Sequence, residues 1–112
     1  MKIYHNPRCT KSRQTLKIIE EKGIEPEIIL YLEDNLTEKD LKAILKKLGM
    51  KATELVRKTE SIYKEKYKGK TLDEQQWIKA LITHPKLIQR PIIVKGKQAI
   101  LGRPPENVEF LF

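Results

Sequence analysis

With 112 residues the chain can bury one hydrophobic core and is too short for two. A net charge of +8 raises nucleic acid as a partner, but five of the 23 basic residues are arginines and the other 18 are lysines scattered among glutamates, the pattern of a solvated surface. One cysteine cannot close an intramolecular disulfide, two distant histidines give no metal-ligand spacing, and no apolar run has the length of a membrane span or signal-peptide core, so a cytoplasmic protein without a metal is expected.

The first expected element is a short strand near 2–5. Asn6-Pro7 then signals a turn, because proline fixes φ and asparagine tolerates unusual backbone angles. From Thr10 the apolar residues Leu16, Ile18 and Ile19 recur at helical spacing, and Gly23 is placed to end the helix. Glu27 to Leu32 is rich in apolar residues and reads as a central parallel strand buried on both faces, which completes a βαβ unit.

The middle of the chain is helical in pattern. Thr37 caps a helix whose apolar face is Leu41, Ile44, Leu45 and Leu48, and Gly49 ends it. Ala52, Leu55 and Val56 suggest a short helix leading to Arg57. Thr71-Leu72-Asp73-Glu74 reads as a capping box for a further helix that buries Trp77, Ile78, Leu81 and Ile82. Residues from about 37 to 84 therefore form a helical insertion. Strand pattern returns at 92–95 and 98–101, a hairpin around Lys95-Gly96-Lys97, and Pro104-Pro105-Glu106 carries a helix-start signal.

Cys9 stands between the first strand and the first helix. Unpaired N–H groups and the positive end of the helix dipole lower a thiol's pKa there, and Arg8, Lys11 and Arg13 add positive charge. Polar, basic neighbours and a preceding turn favour a reactive thiolate over a small buried hydrophobe. Arg8 reads as an exposed loop charge. A chain that uses lysine for its surface has kept arginine for a few places, and Arg57, Arg90 and Arg103 each stand beside a turn at the end of an element. Arginine offers a planar fork that binds oxyanions bidentately.

His5-x3-Cys9-x3-Arg13, together with Leu55-Val56-Arg57-Lys58, Gln89-Arg90-Pro91-Ile92 and Gly102-Arg103-Pro104, resembles the glutaredoxin-coupled arsenate reductase family, the ArsC-like branch of the thioredoxin-like fold. The likeness runs from Ile3 to about Glu106, and the tail beyond it is shorter than that family's C-terminal helix. The resemblance implies a single α/β domain over 1–112, thioredoxin-like, with a small mixed sheet. It implies that Cys9 is the nucleophile and that Arg57, Arg90 and Arg103 bind arsenate. His5, Ser12 and Arg13 would support the thiolate, and Pro91 would be a cis-proline beside it. It also implies glutathione as the reducing co-substrate, glutaredoxin as the partner and no bound cofactor. The alternative is a non-catalytic or regulatory relative that docks a protein or nucleic-acid partner on its basic face. Such a module has no need for three arginines around one thiol.

Overall fold

The computed structural model describes residues 1–34 and 36–112. The chain divides into two compact units, one formed by Met1–Asp34 with Arg90–Phe112 and the other by Asn35–Gln89.

The first unit is built on strands β1 (Lys2–Tyr4), β2 (Glu27–Ile29), β3 (Ile92–Lys95) and β4 (Gln98–Leu101), in the order β2-β1-β3-β4. β1 pairs parallel with β2, Ile3 opposite Ile28, and antiparallel with β3, Ile3 opposite Ile93. β3 returns as β4 through a two-residue turn between Lys95 and Gln98. Gly96, at φ +60°, takes the left-handed first position of that turn without a side-chain penalty. Helix α1 (Thr10–Glu21) and the 3-10 helix Pro105–Leu111 pack together, and Ile19, Val108 and Leu111 join Ile3 and Ile93 in one buried cluster.

Glu27–Leu32 is not the central strand that its composition suggests. β2 is a three-residue edge strand with Ile28 48% exposed. The ladder stops because the N–H groups of Glu33 and Asp34 both turn back to the Leu30 carbonyl, at 2.9 and 2.8 Å. The later part of the apolar run thus enters a turn that buries Tyr31. One further ladder bond, from His5 N to the Ile29 carbonyl at 2.8 Å, carries the parallel pairing into the loop before Cys9.

α1 also differs from its apolar pattern. Ser12, Thr15 and Ile19 are buried, while Leu16 and Ile18 are only partly covered. The polar residues face inward because they bond to neighbouring segments. Ser12 Oγ accepts from Asn6 N, and Thr15 Oγ1 donates to the Lys11 carbonyl at 2.8 Å and lies 3.4 Å from that of Gly102.

The second unit contains α2 (Glu38–Leu48), α3 (Ala52–Leu55), a π-helical turn at Tyr63–Tyr67, α4 (Glu74–Thr83) and a 3-10 turn at Pro85–Leu87. α2 carries the expected Thr37 cap and ends on Gly49 at φ +67°. The capping box of α4 lies two residues beyond the expected one: Asp73 Oδ1 accepts from Gln76 N at 2.8 Å, and Gln76 Oε1 accepts from Asp73 N at 2.9 Å. Glu74 is instead committed to the start of α3, where both its carboxylate oxygens lie 3.0 Å from Ala52 N. Ala80, rather than Ile82, completes the buried face of α4. An isolated bridge, Val56 with Ile88, holds the segment that ends α3.

Candidate active site

Cys9 is the N-cap of α1, half-buried and in extended conformation. Its position is set by the loop before it. Cys9 N donates to the Asn6 carbonyl at 3.0 Å, and Arg8 N donates to Asn6 Oδ1 at 3.0 Å. The buried Asn6 thus folds the chain into the turn that delivers the sulfur to the helix start.

Burial alone would push the Cys9 thiol up. The Ser12 N–H in the first helical turn, a hydrogen bond from Arg90 with the charge of its guanidinium, and the Lys11 N–H together outweigh it and hold the thiol below its ordinary value. A thiolate is thereby favoured at the helix N-terminus, where the N–H groups would otherwise lack partners.

The remaining candidates take distinct places. His5 Nδ1 and Ser12 Oγ lie 2.6 Å apart, and Ser12 Oγ accepts from Asn6 N at 3.1 Å. The Ser12 side chain therefore ties the loop to the helix, and its backbone N–H is the part that stabilises the sulfur. Burial and the charge of Arg13 lower the His5 pKa, which keeps the ring neutral near pH 7. Arg13 donates to the Pro7 carbonyl at 2.8 Å and reaches Thr10 Oγ1 at 3.3 Å, so it fastens the outside of the same loop.

Arg90 and Arg103 come together on the sheet unit. Arg103 Nη1 donates to the Arg90 carbonyl at 3.1 Å. Both Arg90–Pro91 and Arg103–Pro104 are cis, the second without any signal in the sequence. Asn107, which no motif in the sequence marks, braces this corner through Nδ2, 3.2 Å from the Arg103 carbonyl and 3.4 Å from that of Leu101. Nothing in the sequence marks Gly102 as a packing residue. A Cβ there would lie 2.6 Å from Thr15 Oγ1 and 2.8 Å from Pro91 Cγ, so only glycine lets the strand end approach α1 and Pro91.

Arg57 belongs to the other unit. Its N–H donates to the Leu87 carbonyl at 2.6 Å, Nε reaches Thr59 Oγ1 at 3.4 Å, and Nη1 is buried with no hydrogen-bond partner among the described residues. Among those residues no group of histidine, cysteine and carboxylate side chains is arranged to hold a metal ion. Among the described residues no helix is long and apolar enough to cross a membrane.

A mixed four-stranded sheet with a half-buried, activated cysteine at a helix start and an arginine on its sulfur defines a thiol-active α/β protein. The model of the ArsC family matches residues 4–111. The arsenate reductase of Haemophilus influenzae is 43% identical over 111 residues, covering 95% of this chain and 93% of its own length. The uncharacterized Escherichia coli K12 protein YfgD is 49% identical over 110 residues, with coverages of 96% and 92%. The solved arsenate reductase from Vibrio cholerae matches with a TM-score of 0.95 at 42% identity, over 99% of this chain and 96% of that one. The chain belongs to the ArsC family, with the thioredoxin-like α/β fold of its relatives.

Proposed function

We propose that this chain reduces arsenate to arsenite through a covalent adduct on Cys9, resolved by glutathione and glutaredoxin. The observation that carries the proposal is the Arg90 guanidinium on the Cys9 sulfur, with Arg103 bonded to the backbone of Arg90. A forked cation beside a lowered-pKa thiol serves both steps of such chemistry: it holds a tetrahedral oxyanion and keeps the nucleophile ionised. Arsenate reductases of 40% and 43% identity support the substrate.

In the proposed cycle the Cys9 thiolate attacks arsenic, a sulfur–arsenic bond forms, and one oxygen leaves as water after protonation. External thiols then supply two electrons to arsenic and are themselves joined as a disulfide, while a second arsenic oxygen takes up protons and leaves as water. Hydrolysis of the remaining sulfur–arsenic bond releases arsenite and regenerates the thiol. The net change is arsenate plus two glutathione giving arsenite, glutathione disulfide and water. The chain has one cysteine, so the second sulfur must come from another molecule. Glutathione with glutaredoxin fits that need, on the family resemblance. The role of Arg57 as a third oxyanion ligand rests on the same resemblance and on its buried, unpaired Nη1, a donor that calls for an acceptor.

The proposal also takes the molecule as one functional domain acting in the cytoplasm, where glutathione is abundant and thiols stay reduced. The deciding experiment is arsenate-dependent oxidation of glutathione, followed with glutaredoxin and, separately, with thioredoxin as the only electron donor. Turnover with glutaredoxin that disappears in Cys9→Ser is expected. Absence of turnover with an intact thiol would overturn the activity, and turnover with thioredoxin alone would overturn the choice of reductant.

A further inference from the structure

The loop that positions Cys9 has a second side. Asn6, Pro7 and Arg8 form one wall of a cavity of about 290 Å³, and Leu30, Leu32 and Glu33, from the turn that ends β2, form much of the other. It lies wholly within the sheet unit. His5 completes the lining, and both charged residues, Arg8 and Glu33, are exposed.

We propose that this cavity is the docking subsite of the thiol co-substrate, and that it grips the γ-glutamyl end of glutathione, with Arg8 taking the α-carboxylate and Glu33 the α-ammonium. This deepens the reading of the chain as an arsenate reductase supplied by an external thiol, and rests on it. Three observations favour that occupant. The cavity presents one cation and one anion, which suits a zwitterionic end group; the glycyl end of glutathione carries a carboxylate alone. Its apolar lining, Leu30 and Leu32, suits the methylenes of a γ-glutamyl chain. Its volume falls just below the ~300–1,000 Å³ of sites that enclose a whole small ligand, so it receives one end of a tripeptide and leaves the rest outside.

Reach agrees with this placement. Arg8 immediately precedes Cys9, so their Cα atoms are about 3.8 Å apart across a trans peptide. In glutathione the thiol belongs to the central residue, one step from the γ-glutamyl anchor. The subsite thus adjoins, through Arg8, the loop that carries the thiol. The subsite also gives Arg8 a task that its look as a loop charge does not suggest.

The test separates this site from the arsenate chemistry. Cys9 is converted to its mixed disulfide by oxidised glutathione: the Cys9 thiolate attacks one sulfur, the glutathione disulfide breaks, and glutathione thiolate leaves. The rate is compared with that of iodoacetamide, a neutral reagent that reports thiolate content alone. Arg8→Glu and Glu33→Lys should each slow glutathionylation by roughly threefold to tenfold relative to iodoacetamide, the scale of exposed charge pairs reversed in sign. The double exchange Arg8→Glu with Glu33→Arg should recover part of the loss. In turnover, the KM for glutathione should rise in both single variants, and γ-glutamylcysteine should replace glutathione better than cysteinylglycine does. Equal effects on both reagents, or equal use of the two dipeptides, would overturn the subsite. If the wild type shows no arsenate turnover, the proposed function falls, while the glutathionylation ratio still decides this site.

Discussion

At Cys9 reactivity is the outcome of a contest between burial, which favours the thiol, and donors that favour the thiolate, and among the described residues Arg90 is the side chain on the winning side. Arg90→Lys keeps the charge and loses the fork. It should shift the pH profile of Cys9 alkylation upward and lower kcat/KM for arsenate by about 10²–10³, the usual effect of losing one preorganised donor. Arg103 bonds the Arg90 carbonyl and is absent from the groups that lower the thiol. Arg103→Lys should therefore reduce kcat/KM while leaving the alkylation profile in place; identical profile shifts in the two variants would contradict this division of labour. Ser12→Ala tests the loop instead. It strips the partner from buried His5 Nδ1 and the acceptor from Asn6 N, and should lower unfolding free energy by about 1–3 kcal/mol in urea titration. The cysteine and the arginines stood out in the sequence because their chemistry is rare in a lysine-rich chain. Asn107 and Thr15 did not, since their importance lies in contacts with carbonyls that turn chemistry and periodicity do not encode.

Among the elements, the packing of β4 against α1 depends on the smallest side chain available. Gly102→Ala places a methyl group 2.6–3.0 Å from Thr15 and 2.8 Å from Pro91, all in buried surroundings. A loss of about 1–3 kcal/mol is expected, as for other overpacked cores. Thr15→Ala in the same chain removes two of the three close contacts, so the double variant should be less destabilised than the two single losses added together. Strict additivity in denaturant titrations would show that the neighbours yield without strain. The same scale explains which elements were legible. α2 was readable because its cap, apolar face and terminal glycine all agree, and the β3–β4 hairpin because Gly96 marks its turn. The strand at 27–32 was overdrawn, because an apolar run records burial and not which backbone groups pair: Leu30 closes a turn and Tyr31 is buried outside the ladder. The start of α4 was misplaced because two acids compete there, and Glu74 is held by Ala52 N, a partner 22 residues away.

For the whole molecule, the two lowered pKa values give stability a definite slope with pH. His5 is buried and held below its ordinary value of 6.5, so the folded state refuses a proton that the unfolded state accepts. Its contribution is complete above about pH 6.5 and is lost as pH falls through that value toward the folded one. Cys9 is also lowered, so the folded state releases its proton first. Its contribution is complete above the unfolded thiol value of about 8.5 and is lost as pH falls from there toward the folded value. Both groups therefore make the protein more stable as pH rises, His5 up to about pH 6.5 and Cys9 up to about pH 8.5. Cys9→Ser should flatten the upper window and leave the lower one, and His5→Gln should do the reverse. Tm measured from pH 5 to 9 in the three proteins checks the assignment. A wild-type curve that falls between pH 7 and 9 more steeply than that of Cys9→Ser would mean that the folded state disfavours the thiolate. The activation of the nucleophile by Arg90 and the helix start would then be ruled out by equilibrium stability alone, before any arsenate is added.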